Sequence, residues 1–477
     1  SSLFISVNSV GYAVIRSIEI QIHYPDGTIM EPQTASVRNW LRNSIFLRVM
    51  FIGFVILLLQ IPIAMISGQI YERDQTRIAA INDITSKWGQ QQNILGPRLI
   101  VPYIEIHSWK NKYGHLEKSR KTRYTAFLPD TLNVTAKIQN EIRYRGIFAV
   151  PVYQSNINLQ GRFKKPDFSA WGIDPKRVQW NKAQLLIGVS DSRAIQKQVI
   201  LRWNKDTFYF EPGLGKTNSN DTGFHIPELS VKKNVSYKFN ITMTLNGSDA
   251  FYVAPLGKNS SFKLQSDWPD PSFQGYKLPN TRKITAQGFE ASWSISYISR
   301  NYPQQWLDDE FVYAKLNQSL VGVEFVSPVD NYRMTERSIK YAMLFLILTF
   351  TAIWLIEIFY KLRVHLLQYL LLGLSMSLFY LLLLAFSEHI GFFWSYLIAA
   401  SAVVLMTSLY SRTILKSNKR AIWIGTGMTV LYIYLFSLLE EQNYSMLFGS
   451  IGVFLALAAV MYITRNIDWY NHGKRSE

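Results

Sequence analysis

The sequence contains no cysteine among its 477 residues. This absence excludes disulfide bonds, thiolate nucleophiles and cysteine-ligated metal sites. The chain also has no P-loop, no glycine-rich dinucleotide fingerprint, no HExxH pair and no nucleophile elbow. Its 7 histidines are scattered, and none has another histidine at metal-ligand spacing. The sequence therefore predicts a protein that is not an enzyme and that needs no cofactor or metal.

Acidic side chains are scarce beside basic ones. The chain has 33 aspartates and glutamates against 50 lysines and arginines, a formal net charge of +17. In a soluble protein this excess would suggest nucleic-acid binding. The same chain, however, is almost continuously apolar over residues 339–464 and again over residues 45–66. We therefore predict a membrane protein with lipid partners and no nucleic acid, in which part of the charge sets the topology.

The apolar segments predict six transmembrane helices. A helix needs about 20 apolar residues to cross the hydrocarbon core. Residues 45–66 fit an uncleaved anchor, in which Arg48 extends from one end to the interface. Polar residues divide the C-terminal block into five further segments, namely 339–360, 366–387, 390–411, 421–439 and 444–464.

The turns between these segments differ in charge. The turns SEHIG and EEQNYS contain no lysine or arginine, whereas the alternate turns are basic, and basic turns face the cytoplasm. This pattern predicts cytoplasmic termini, with residues 1–44 as a leading segment and 465–477 as a tail, and it places residues 67–338 outside. The basic residues that carry the prediction are Lys361, Arg363, Arg412, Lys416, Lys419, Arg420, Arg465, Lys474 and Arg475.

The long segment between anchor and bundle has the pattern of a β-rich domain. Residues 235–245 alternate apolar and polar side chains, which is typical of a half-buried strand, and Asn246-Gly247 follows as a candidate turn. Residues 156–163 and 289–297 alternate in the same way. We predict an α+β membrane protein with one N-terminal transmembrane anchor, a sandwich-like periplasmic domain and a C-terminal bundle of five transmembrane helices.

This outer domain is basic and begins with a helix. Helical periodicity is confined to residues 71–88, so we expect the sandwich to stand on a short helix after the anchor. Residues 67–338 hold 36 basic and 24 acidic side chains, an excess of +12. An evenly charged soluble surface explains most of this excess, since no dense basic run exists. An anionic envelope polymer or an envelope protein is the alternative partner.

Glu388 and His389 interrupt the apolar block and are the candidate functional residues. A buried pair would handle protons, but an ionised group at the bilayer centre costs about 2.5–3.5 kcal/mol. The tip of a helical hairpin is therefore the simpler interpretation, and we expect Glu388→Gln to leave abundance unchanged. Glu357 lies four residues before Lys361, which predicts a local ion pair on the helix surface.

Several segments resemble the CreD family of bacterial inner-membrane proteins. The resemblance covers about residues 43–472. It is strongest in VHLLQYLLLGLSMSLFYLLLLAFSEHIGF at 364–392, LYSRTILKSNKRA at 409–421 and GSIGVFLALAAVMYITRNIDWY at 449–470, and it includes ILGPRLIVPY at 94–103. Residues 1–42 depart from the family. We expect residues 1–29 to be weakly ordered and dispensable, with Met30 as the natural start.

The resemblance implies a bacterial inner-membrane protein with a periplasmic domain. It further implies a link to a two-component regulatory system, and a role in envelope integrity and tolerance of envelope-directed agents. The family supplies no catalytic residue. Two alternatives stay open: a transporter or lipid-handling protein that works through the five-helix bundle, and a hydrolase that acts on an envelope component. A polar cavity in the bundle would favour the first, and a convergent catalytic cluster in the outer domain would favour the second.

Overall fold

The computed structural model describes residues 45–215, 222–232, 235–307, 310–325, 331–360, 362, 364–441 and 444–465. The expectations for Met30 and the leading segment, and for the tail beyond residue 465, lie outside these residues. The described chain has an apolar helix first, a β-rich middle and five apolar helices last. The predicted fold class is confirmed.

Helices account for both ends of the described chain. Six of them, α1 and α4 to α8, have the length and composition to cross a membrane. The shorter α2 and α3 lie just before the bundle. The helices are α1 (Ile45–Trp88), α2 (Glu310–Gln318), α3 (Asn331–Lys340), α4 (Ala342–Phe359), α5 (Leu366–Ile390), α6 (Phe392–Leu415), α7 (Asn418–Glu440) and α8 (Ser445–Thr464).

The first helix is longer than the sequence predicts. The anchor and the helix predicted at 71–88 are one continuous α-helix of 44 residues, with Pro62 inside it. At 1.5 Å per residue this helix is about 66 Å long, roughly twice the thickness of a hydrocarbon core. The sandwich therefore does not stand on a separate short helix. One helix runs from the bundle to the sandwich.

The start of the bundle also differs from the prediction. Residues 331–340 form α3, although the sequence assigns residues 331–338 to the outer domain, and Tyr332 belongs to the apolar core of the bundle. The chain then enters α4 at Ala342. His365 caps the start of α5 in a capping box with Gln368.

The middle of the chain forms two β-sheets of nine and eight strands. The first sheet contains β1 (Gln92–Lys110), β2 (Leu116–Phe127), β5 (Ala183–Val189), β8 (Glu211–Pro212), β9 (Gly223–Leu229), β11 (Ala250–Val253), β13 (Pro271–Gly275), β16 (Gln305–Leu307) and β17 (Val321–Phe325). The second contains β3 (Thr131–Arg145), β4 (Phe148–Phe163), β6 (Ile200–Trp203), β7 (Asp206–Tyr209), β10 (Tyr237–Ser248), β12 (Asn259–Ser266), β14 (Thr281–Thr285) and β15 (Gly288–Ser296).

The two sheets share one apolar core, as a sandwich requires. Rings from both sheets meet there, with Phe251 of β11 at 6.3 Å from both Phe262 of β12 and Tyr153 of β4. The alternation predicted for β10 is confirmed, since its apolar residues from Tyr237 to Leu245 are buried. β15 ends at Ser296, one residue before the predicted end of its alternating pattern.

The predicted turn at Asn246-Gly247 is wrong. Both residues belong to β10 and pair with β4, and the chain turns at Asp249, which has a φ of 60°. A side chain at position 247 would place its Cβ 2.3 Å from the ring of Tyr153, which donates a hydrogen bond to the carbonyl of Ala250. The glycine therefore allows a buried tyrosine to pack against the strand rather than allowing a turn.

Candidate coupling site between sandwich and bundle

The end of α1 is fixed to the sandwich. The indole N–H of Trp88 donates to the carbonyl of Tyr153 at 3.2 Å, and the hydroxyl of Ser248 donates to the carbonyl of Gly89 at 3.0 Å. The guanidinium of Arg143 lies 3.5 Å from the centre of the Trp88 ring. Because the same helix packs in the bundle, α1 connects the sandwich to the bundle directly.

A polar cluster joins three helices where the bundle meets the sandwich. The hydroxyl of Tyr332 in α3 donates to Oε1 of Glu388 in α5 at 2.8 Å, and Nε of Arg73 in α1 lies 3.7 Å from the same oxygen. One turn further along α1, the guanidinium of Arg77 lies 5.5 Å from the Tyr332 ring. We call Arg73, Arg77, Tyr332 and Glu388 the sandwich-side joint.

The two candidate residues of the sequence take different positions. Both lie in the last turn of α5, which ends before Gly391 at a φ of 78°, so they do occupy the end of a helix in a hairpin. The Glu388 side chain is 8% exposed and turns towards Tyr332, whereas His389 is exposed. Within the described residues, no hydrogen bond joins the two. The geometry brings Glu388 into the joint and leaves His389 outside it.

Helix α3 contacts the bundle at two further points. The amide of Asn331 donates to the carbonyl of Ser387 at 2.9 Å. The guanidinium of Arg337 donates to the carbonyls of Leu438 and Leu439, both at 3.0 Å, in the last turn of α7. A cation there satisfies carbonyls that lack helical partners and complements the helix dipole. Helix α3 thus links the ends of α5 and α7.

The sandwich also touches α3 directly. Phe148, the first residue of β4, packs against the ring of Tyr332 with ring centres 6.5 Å apart. Burial, and then the hydrogen bond to Glu388, raise the pKa of Tyr332 well above its usual range. The phenol is therefore neutral and remains a hydrogen-bond donor at any physiological pH. Displacement of the β3–β4 hairpin would act on this donor first.

A second polar cluster joins α1 to the bundle at the opposite end. Nη1 of Arg48 lies 2.5 Å from Oε1 of Glu357, whose side chain is 3% exposed. The same oxygen accepts the N–H of Val364 at 3.1 Å, and the other oxygen accepts the hydroxyl of Tyr369 at 3.3 Å. We call Arg48, Glu357 and Tyr369 the far-side joint.

This geometry corrects one expectation. Glu357 is buried and bound to Arg48, so it does not lie on the helix surface as predicted, while the predicted pair with Lys361 falls outside the described residues. Arg48, which the sequence predicts to extend to the interface, binds that carboxylate. The physical reason is that a buried carboxylate needs several donors, and α1 and α5 supply them.

The spacing of the two joints matches a bilayer. Arg48 and Arg73 are 25 residues apart in one helix, which corresponds to about 38 Å. The hydrocarbon core of a membrane is about 30 Å thick. This spacing is close to that thickness, as expected for charged side chains that avoid the hydrocarbon core.

Aromatic rings fill the centre of the bundle. The ring centre of Phe379 lies 4.8 Å from that of Tyr432 and 5.3 Å from that of Tyr396. The hydroxyl of Tyr396 donates to the carbonyl of Tyr432 at 2.6 Å. Among the described residues, no group of three histidine or acidic side chains has the arrangement needed to hold a metal ion. In the part of the chain that the structure describes, the salt bridges that join different helices are those of the two joints.

Sequence reasoning missed most of the sandwich-side joint. Glu388 stood out because an acid interrupts an apolar run, but its partners Tyr332 and Arg73 follow no local pattern. A basic residue just beyond an anchor and a tyrosine just before a span are ordinary at a membrane interface. Only the packing of α1, α3 and α5 brings them together.

Comparisons with known proteins cover nearly the whole described chain. A family model described as inner membrane protein CreD matches residues 44–470. The chain is also similar to the inner membrane protein CreD of Escherichia coli (strain K12), with 32% identity over 432 residues. That match covers 90% of this chain and 95% of the relative. The matched region includes both joints and the entire sandwich.

Proposed function

We propose that the chain, which belongs to the CreD family of inner membrane proteins, helps to maintain or sense the state of the cell envelope. In this proposal the protein is not an enzyme. Its sandwich meets an envelope component, and α1 and α3 carry the resulting displacement into the bundle. The observation that carries the proposal is the sandwich-side joint, where both helices reach Glu388.

The proposal includes an orientation and a regulatory link. Lys416 in the turn between α6 and α7 and Lys419 and Arg420 in the first turn of α7 are basic, whereas the turn between α5 and α6 carries no lysine or arginine. The positive-inside rule then places both termini in the cytoplasm and the sandwich in the periplasm. A change in the bundle would be read on the cytoplasmic side by the two-component system to which we link the protein.

The lack of native cysteine makes the orientation simple to test. Tyr113, in a turn of the sandwich, is 86% exposed, and Asn418 is exposed at the start of α7. We expect Tyr113→Cys to react with an impermeant maleimide in intact spheroplasts and Asn418→Cys to react only after lysis. Reaction of both variants in intact spheroplasts would refute the orientation.

The filled centre of the bundle supports coupling rather than transport. Phe379, Tyr396 and Tyr432 are each buried and in mutual contact at the position that a central pathway would occupy. The polar groups of the joints lie at the two ends of the bundle rather than along its axis. We therefore do not propose a transport or lipid-handling activity.

The function is tested by a variant that loosens the joint without removing bulk. Tyr332→Phe deletes only the hydroxyl that donates to Glu388. In a strain that lacks its own copy, we expect wild type to restore tolerance of an envelope-directed agent and Tyr332→Phe to restore less at equal abundance. Tyr341→Phe is the matched control, since Tyr341 is half-buried nearby. Equal rescue by both variants would refute the proposal.

A further inference from the structure

Strands β1 and β2 continue beyond the sandwich as a two-stranded ribbon, residues 104–122. Their mutual pairing extends to Lys110↔Leu116. On the other side of β1 the last strand-like contact is at Tyr103, and β16 leaves β2 at Thr125. Within the described residues, no third strand covers the ribbon. A ribbon of two strands is marginal in water by itself and presents two open edges.

The turn at the end of the ribbon is nonetheless well formed. The side-chain oxygen of Asn111 accepts the N–H groups of Tyr113 and His115, each at 3.0 Å. Its amide donates to Glu117 at 3.0 Å, and Gly114 takes the left-handed conformation with a φ of 79°. This Asx-type turn holds the ribbon in one shape before any partner arrives.

The two faces of the ribbon differ in charge. On one face, Glu105 binds Arg123 at 3.0 Å and His107 at 2.9 Å, and these hydrogen bonds lower the pKa of Glu105. Residues directly opposite each other in an antiparallel pair share a face, so the register of β1 and β2 defines the other face of the ribbon. None of its residues is a carboxylate. That face consists of Ile104, Ile106, Ser108, Lys110, Leu116, Lys118, Arg120 and Thr122.

Lys110, Lys118 and Arg120 form what we call the cationic face. Lys118 and Arg120 are two residues apart on one strand, about 7 Å. Lys110 is diagonal to Lys118 across the pair, about 7–8 Å away. No described carboxylate lies within ion-pair distance of any of them. Like charges on one face repel each other, so an external anion would stabilise the ribbon.

Exposed apolar side chains accompany these cations at the tip. Leu116, on the cationic face, is 60% exposed, and Tyr113, in the turn, is 86% exposed, whereas Trp109 lies opposite Glu117 on the other face. Exposed aromatic rings beside cations are typical of a binding surface rather than of a solubilising one. Ring faces of this kind pack well against the C–H groups of sugars, which are apolar on one side and polar at the rim.

We propose that the ribbon binds the anionic wall polymer of the envelope, a chain of sugars with carboxylate-bearing peptides. The cationic face would pair with its carboxylates, and Tyr113 would pack against its sugar rings. The proposal rests on the proposed function only in placing the sandwich in the periplasm. The combination of unpaired cations with an exposed ring favours a polymer, because such a polymer offers both carboxylates and sugar rings.

Cosedimentation of the detergent-solubilised full-length chain with wall sacculi freed of lipid and protein tests the proposal. The test variant is the triple Lys110→Gln, Lys118→Gln and Arg120→Gln. The control triple removes equal charge from exposed positions on the other sheet, in Lys137→Gln, Lys238→Gln and Lys263→Gln. We expect the test triple to bind at least about tenfold more weakly and the control to change by less than about twofold.

Three results would overturn the proposal. Equal binding by the test triple and wild type would exclude the cationic face, and equal loss in both triples would mean that only the overall charge matters. Vesicles with about 30% anionic lipid form a second arm. If the protein bound vesicles but not sacculi, and the test triple lost that binding, the ligand of the cationic face would be a membrane surface rather than the polymer. Tyr332→Phe should bind sacculi like wild type, so failure here and failure of the coupling proposal are distinguishable.

Discussion

The two joints of α1 use the same residue types in different ways. At the far-side joint, Arg48 and Glu357 are 2.5 Å apart, and the carboxylate, 3% exposed, has two further donors. At the sandwich-side joint, Arg73 is 3.7 Å from Glu388 and 52% exposed. The close contact there is the hydrogen bond from the neutral phenol of Tyr332 to the carboxylate. One joint is a buried ion pair, and the other is a hydrogen bond beside a loose cation.

This difference assigns a mechanical role to each end of α1. Breaking a buried pair leaves an uncompensated charge, so the far-side joint resists movement. A single hydrogen bond has a net value of about 0.5–1.5 kcal/mol, or about 1.5–3 kcal/mol when one partner is charged, so the sandwich-side joint opens at lower cost than a buried ion pair. Displacement of the sandwich would therefore pivot α1 about its far-side end.

The largest expected effect is at the far-side joint. Glu357→Ala strands Arg48 and the hydroxyl of Tyr369, and we expect a loss of about 3 kcal/mol in the free energy of unfolding. The value is at the lower end for a buried pair because Arg48 is 35% exposed. Denaturation in mixed micelles measures it. The double variant Arg48→Met and Glu357→Leu should recover most of the loss. A loss below about 1 kcal/mol would refute a fixed joint.

A smaller loss is expected for Glu388→Ala. It leaves the buried hydroxyl of Tyr332 without its acceptor, at a cost of about 1–2 kcal/mol. Glu388→Gln keeps an acceptor oxygen in place and should cost less than about 1 kcal/mol. Abundance and unfolding in micelles measure both variants. If Glu388→Ala were as stable as wild type, Glu388 would be a free residue at the hairpin tip rather than part of the joint.

Tyr332→Phe should cost about 1 kcal/mol and act locally. We expect faster amide exchange in residues 331–340, because α3 loses its hydrogen bond to α5, and unchanged exchange near Glu357. Hydrogen exchange followed by mass spectrometry reports both regions in one sample. Equal acceleration at the two ends would show that the joints are not independent.

The smallest effect is expected for Arg73→Ala. An exposed cation 3.7 Å from its partner contributes about 0–1 kcal/mol, and salt screens it. The free energy of unfolding should fall by no more than this amount at low salt and be unchanged at high salt. Arg48→Ala is the matched comparison and should cost more. If Arg73→Ala cost as much as Arg48→Ala, the contrast between the joints would be refuted.

The sequence predicted strands and transmembrane spans better than it predicted the contacts of individual side chains. Alternation placed β10 and β15 because side-chain burial in a strand follows a local period, and hydropathy placed the spans for a similar reason. Glu357 was misassigned because its partner Arg48 is 309 residues away, while Lys361 is near in sequence. Gly247 was misassigned because a close approach to Tyr153 and a turn both favour glycine. Long-range packing decides such cases, and no local pattern encodes it.

The central claim is that α1 is fixed at its far-side end and movable at its sandwich-side end. Spin-label distances test this claim. The cysteine-free chain accepts one label pair at Ser86 and Phe393, and another at Val49 and Leu409, all exposed positions on α1 and α6. We predict a broad distance distribution for the first pair, broadened further by Tyr332→Phe, and a narrow one for the second that this variant leaves unchanged. Equal widths for the two pairs, or a shift of the second pair in Tyr332→Phe, would contradict the account.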